Sequence, residues 1–163
     1  GRTIAFGHGL GCHVCLLRPK STGEVTLNSN DAFDTPKIDP KFFSEREDMD
    51  VMIKGYRKMM QIMDAEPLKP FTRKVQDPVD INSDADIEAA MRARADTVYH
   101  PVGTCKMGSD EMSVVNHELK VHALENVRVV DASIMPTLVG GNTNAPTIMI
   151  GEKAADMIKS AWA

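Results

Sequence analysis

Residues 126–147, NVRVVDASIMPTLVGGNTNAPT, carry the strongest structural signal in the chain. Val127, Val129 and Val130 predict a short strand, and Asp131 ends it. A polar loop comes next, bearing Gly140, Gly141, Asn142 and Asn144, and it runs straight into a helix. Asn144 is placed to cap that helix, Pro146 suits its first turn, and the apolar pattern carries it to about Ala161. The loop therefore puts backbone amides, side-chain carboxamides and a helix amino terminus side by side. Such a surface can hold a planar, electron-rich ligand and stabilise negative charge on it. Physics alone leaves the identity of that ligand open.

A second stretch, YHPVGTCKMG at 99–108, raises the question of what a histidine does there. Pro101 biases His100 toward an extended backbone. Gly103 permits close approach of another backbone. On these residues alone His100 is a buried structural ring, a metal ligand with Cys105, or a proton acceptor at a reaction centre.

Working toward the amino terminus, Ser83 with Asp86 three residues on predicts a capped helix over 84–95. An earlier helix is expected from Ser44, with Ser44 and Glu47 spaced as a capping box. Met52, Tyr56, Met59, Met60 and Met63 fall at steps of three and four, giving one apolar face, read as core packing; Pro67 and Pro70 are expected to stop the helix. Val14–Leu17 and Glu24–Leu27, separated by a turn between Pro19 and Gly23, predict a β-hairpin. The segment NDAFDTPKIDPKFFS reads as an irregular connection.

Composition limits the function classes. With 42% hydrophobic and 26% charged residues the chain has the balance of a globular protein. Its net charge is −4 and its basic residues are scattered, so the electrostatic footprint of a nucleic-acid binder is missing. No apolar run approaches a membrane span. The first residues resemble no signal peptide and include no initiator methionine, and they read as the interior of a longer chain. Three cysteines, an odd count, favour a reducing compartment. The expected location is the cytoplasm, with at most a peripheral association with the inner membrane.

Cys12 and Cys15 form a CxxC with His8 and His13 nearby, but a structural zinc site needs four ligands and usually two such pairs. No metal is expected. His117 and His122 share neither a helical nor a strand face and read as exposed or locally bonded rings.

Taken in order, HVCLLRPKSTGEVTL, IDPKFFS, YHPVGTCKMG and NVRVVDASIMPTLVGGNTNAPTIMIGEKAADMI resemble the carboxy-terminal portion of the glucose–methanol–choline (GMC) oxidoreductases, flavoenzymes that include choline dehydrogenase. The resemblance covers most of the chain. It implies an α+β fold: part of a mixed or antiparallel substrate-domain sheet with packed helices, plus the strand, loop and helix that complete an FAD-binding domain. Residues 1–97 are then a portion of the substrate domain and 98–163 close the FAD domain and active site. By position, His100 matches the family's catalytic histidine and Asn142 its second catalytic residue. Asp131, Ala132, Gly141, Asn142, Thr143 and Asn144 match positions that touch FAD. Asn116 and Ala123 stand where aspartate and glycine are common in the family.

The implied reaction oxidises a primary alcohol to an aldehyde. His100 takes the hydroxyl proton as general base, a hydride passes to flavin N5, and Asn142 bonds the substrate oxygen. The helix amino terminus stabilises the anionic reduced flavin. The implied partners are the alcohol, an amino-terminal FAD-binding portion, and a quinone or oxygen as electron acceptor. GHGLG at 7–11 does not have the GxGxxG spacing of a pyrophosphate-binding turn. A second reading applies to the chain alone: a folded but inert module without FAD, with exposed apolar faces or self-association covering them.

Overall fold

A computed structural model describes residues 9–162. The chain packs as two compact units. One consists of Phe43–Asp96 with the preceding segment that ends at Leu16; the other consists of Leu17–Phe42 with the segment from Thr97 onward.

The first unit is built on two helices, α1 (Arg46–Met63) and α2 (Asp84–Arg94). Its core holds Met49, Ile53, Tyr56 and Ile87, with Phe43, Met59, Met60, Val79 and Met91 packed around them. The apolar face read from the spacing of methionines is thus the buried face of α1, extended by Met49 and Ile53. The Ser83 cap forms as expected, its side chain accepting from the Asp86 amide at 3.2 Å. The Ser44–Glu47 capping box does not form. α1 starts at Arg46, Glu45 occupies the cap position in an extended conformation, and it makes no side-chain cap bond. Lys41 and Phe43 both adopt positive φ on the approach, so the chain turns into the helix later than the capping pattern indicates. Beyond Met63, Pro67 and Pro70 do not simply terminate structure; both lie in a 3₁₀ helix, Glu66–Phe71. Arg46 joins the helices through Asp50 on α1 (2.8 Å) and Glu88 on α2. Arg57 reaches Asp84 and the Ile81 carbonyl.

The second unit contains the one sheet among the described residues, an antiparallel pair of β1 (Glu24–Thr26) and β2 (Lys37–Asp39). This corrects the expected hairpin. Glu24–Thr26 pairs forward with Lys37–Asp39, opposing Val25 to Ile38, and not back with Val14–Leu17. Val14 is instead held in the first unit, where its methyl group packs against Gly55 of α1. Gly23 shows why the forward pairing wins: a Cβ there would stand 2.2 Å from the Asp39 carbonyl oxygen, so only glycine lets the two backbones approach. The loop between the strands, read as irregular, is folded on its own side chains. Asp31 accepts from the Phe33 amide and Asn28 donates to Asp34, both at 3.0 Å.

The core of the second unit comprises Val115, Leu119, Ile134, Met135, Ile150 and Ala154. Ile150 and Ala154 lie on one face of α3 (Asn144–Trp162), with Met157 packed beside them. The valines at 127–130 form no extended strand. Single bridges join Lys120 to Arg128, Val115 to Val121 and Met107 to Val115, while Val129 and Val130 pack on the core. Val129 and Val130 are half-buried against that core and belong to no sheet, and Val127 is exposed. Phe33, Leu27 and Ile38 of the hairpin region and Ile148 and Met149 of α3 face solvent. No described helix is long and apolar enough to cross a membrane.

Candidate active site

The His100 loop is shaped by its neighbours in sequence. Tyr99 has φ +63° and Gly103 φ +87°, so left-handed backbone stands on either side of the His100–Pro101 pair. Val102 packs on the core, and two backbone bonds fasten the residues just beyond it. The Cys105 amide donates to Ser133 O at 3.0 Å and the Met107 amide to Ile134 O at 2.8 Å. Both acceptors belong to a 3₁₀ turn at Ala132–Ile134. Asp131 builds that turn: its carboxylate accepts from the Ser133 amide at 2.7 Å and from the Ser133 hydroxyl.

From this platform the chain continues through Gly140–Asn142 into α3. The helix begins at Asn144, so Asn144 is its first residue and not the residue before it; Pro146 falls in the first turn, as expected. Thr143 immediately precedes the helix, and its carbonyl accepts the Thr147 amide at 3.0 Å. Thr143 is also the point at which the two stretches meet. His100 Nδ1 lies 2.8 Å from Thr143 Oγ1, across 43 positions of sequence. Thr143 is buried and His100 half-buried, whereas Gly141, Asn142 and Asn144 are exposed.

The structure therefore brings His100 to Thr143, the residue next to Asn142, while Asn142 itself is exposed. Ala132 is half-buried against the core and Asp131 is exposed, its carboxylate engaged with Ser133. The contact that sequence reasoning missed is the one from Thr143 to His100. A cysteine, a lysine and two glycines crowd the His100 stretch, and nothing in them signals a hydroxyl partner so far along the chain.

Could a flat ring lie on this loop? A Cβ added to Gly141 would meet nothing within 4 Å, so the backbone there is open to a ligand face. The first turn of α3 carries no acidic residue to neutralise the partial positive charge of its amides. Behind the loop, the Arg18 guanidinium packs on Gly140, within 3.0–3.3 Å of where a Cβ would stand. The loop thus presents an uncluttered face with electropositive amides close by, and it fits an anionic or electron-rich planar group.

Beyond this site, Lys106 and Ser113 bind Asp110, at 3.0 and 2.7 Å, and Asp110 also accepts from the Met112 amide. The Lys106 ammonium, then the Ser113 hydroxyl, lower the Asp110 pKa to about 2. Because the folded-state value is depressed, the stability this network contributes is present above the ordinary carboxylate range, near about 4. It is lost as pH falls from there through about 2. In Asp110→Asn the melting temperature should depend less steeply on pH across that window than in the wild type. Parallel curves for the two proteins would show that the network contributes nothing.

His122 and His117 are both exposed, and His122 Nε2 lies 3.0 Å from the Gly108 carbonyl, a partner 14 residues away in sequence. Cys12 and Cys15 are free and exposed, and no group of three or more potential metal ligands occurs among the described residues. His8 lies outside them, as does part of GHGLG.

A family model described as GMC oxidoreductase matches residues 19–151. An alcohol dehydrogenase (acceptor) of Pseudomonas putida is 52% identical over 159 residues, 97% of this chain and 29% of the relative. An oxygen-dependent choline dehydrogenase of Cronobacter sakazakii is 44% identical over 160 residues, 98% of this chain and 29% of the relative. A formate oxidase of Aspergillus oryzae RIB40, solved to follow the effect of a substitution on FAD modification, superposes with a TM-score of 0.84. That structure is 35% identical, over 90% of this chain and 26% of its own. The chain thus spans less than a third of the length of these relatives. With its α+β architecture and most of its length matched by the family model, the chain belongs to the GMC oxidoreductase family.

Proposed function

We propose that this chain is the carboxy-terminal portion of an FAD-dependent oxidoreductase that converts a primary alcohol to an aldehyde. The observation that carries the reading is the seating of His100 on Thr143, at the loop that opens α3. In this reading residues 1–97 contribute to the substrate domain and 98–163 complete the FAD domain. Asp131, Ala132, Gly141, Asn142, Thr143 and Asn144 would hold the cofactor, Gly141 by its open backbone and residues 143–144 by their place at the helix amino terminus.

FAD, when bound, would supply the acceptor for the hydride that leaves the carbinol carbon. The chain's own residues handle the proton and the oxygen. His100 accepts the hydroxyl proton, and a neutral imidazole suits that task near neutral pH. The Asn142 carboxamide donates to the substrate oxygen, and that bond strengthens as the oxygen gains alkoxide character. A quinone or oxygen then reoxidises the enzyme.

The test uses the full-length protein under anaerobic conditions with a panel of primary alcohols. At least one alcohol should bleach the flavin absorbance and yield an equivalent of aldehyde. A yellow protein that no alcohol in the panel bleaches would refute the reading. The 163-residue chain by itself should behave differently. Its sequence offers no GxGxxG turn for the pyrophosphate, so as an isolated module it should stay colourless after incubation with FAD and gel filtration.

A further inference from the structure

Thr143 occupies an unusual position. A threonine just before a helix ordinarily turns its hydroxyl oxygen back to accept from the amide of the second or third helical residue. In α3 the third residue is Pro146, which has no N–H to give. The Thr143 carbonyl is used by the helix, accepting the Thr147 amide at 3.0 Å and the Thr147 hydroxyl at 2.6 Å. The side-chain oxygen is directed elsewhere, to His100 Nδ1 at 2.8 Å. Thr143 is only 8% exposed, so solvent competes little for that bond.

The two heavy atoms can share a proton in two ways. If the threonine hydroxyl donates to Nδ1, the imidazole carries its hydrogen on Nε2 and cannot accept a proton there. If Nδ1–H donates to the threonine oxygen, Nε2 keeps a lone pair and can act as a base. We infer that Thr143 is a positioning residue whose hydroxyl oxygen accepts the Nδ1 proton of His100 and so holds the ring in its base-competent tautomer. This rests on His100 being the proton acceptor. Pro146 is then part of the device, because it frees the Thr143 oxygen from half of its usual capping choices.

The tautomer can be read without turnover. In full-length holoenzyme labelled with ¹⁵N-histidine, long-range ¹H–¹⁵N spectra distinguish a protonated ring nitrogen from an unprotonated one, and His100→Gln assigns the resonance. Nδ1 should be the protonated nitrogen in the wild type and in Thr143→Ser. In Thr143→Val the ring should shift toward Nε2 protonation or become a mixture. kcat should fall about threefold to tenfold in Thr143→Val, the factor set by the net worth of one neutral hydrogen bond, with little change in KM. Thr143→Ser should restore it.

An unprotonated Nδ1 in the wild type, or a spectrum unchanged by Thr143→Val, would overturn the inference. Should Thr143→Val fail to fold, the wild-type and serine spectra decide, since an unprotonated Nδ1 in either is sufficient to reject it. Failure of the underlying reading looks different: normal turnover in His100→Gln, whatever the wild-type tautomer.

Discussion

His100→Ala in the full-length protein is expected to lower turnover of a good alcohol substrate by about a hundredfold or more. That factor corresponds to about 2.7 kcal/mol of transition-state stabilisation. It is the cost of taking the hydroxyl proton with no positioned acceptor. The competing explanation is loss of fold, and the structure bounds it. His100 is half-buried and, among the described residues, its side chain makes one hydrogen bond, to Thr143, a bond worth on the order of 1 kcal/mol net. The variant should therefore melt close to the wild type and retain its flavin while the rate of flavin reduction collapses. A rate within a few fold of the wild type would remove His100 from the chemistry.

The second large effect concerns stability and lies in the other unit. Ile87 on α2 is fully buried against Met49, Ile53 and Tyr56 of α1. Ile87→Ala removes three carbons from that core and should cost about 2–4 kcal/mol locally. The lower part of the wider range is appropriate because Met49, Met59, Met60 and Met91 line the site and can partly refill it. The ion pairs that also cross the interface are a poor substitute. Arg46, which reaches Glu88, is 58% exposed at its side chain, and solvent screens such a pair so that it adds little. Packing therefore outweighs charge here. Native-state hydrogen exchange provides the comparison. Amides of α1 around Met49–Tyr56 should exchange about thirtyfold faster or more in Ile87→Ala, the factor that 2 kcal/mol sets. Glu88→Ala should move them by several-fold at most. The reverse order would mean that the interface is held by its charges.

Local signals were legible where local chemistry decides. Ser83 followed by Asp86 specifies a helix start through one side-chain bond three residues long, and α2 begins where that bond requires. Pro146 and the apolar spacing at Ile150, Ala154 and Met157 likewise define α3 and its buried face. Motif order carried the family as well, because His100, Asp131 and the GGNTNAPT run are separate signals that coincide in one chain.

What sequence could not supply are choices between partners. Glu24–Thr26 had its apparent partner in the apolar run Val14–Leu17, yet it pairs with Lys37–Asp39 because Gly23 lets the Asp39 carbonyl approach while Val14 is used on α1. Ser44 and Glu47 have capping spacing, yet positive φ at Lys41 and Phe43 carries the chain past that start. The site followed the same division. The family resemblance named His100 and Asn142 as candidates, but only the folded chain brings His100 Nδ1 onto Thr143 across 43 positions. Capping and periodicity act over one turn of helix, so they are written in adjacent residues. Strand partners and the proton state of a ring depend on which distant group arrives, and that is decided only when the core closes.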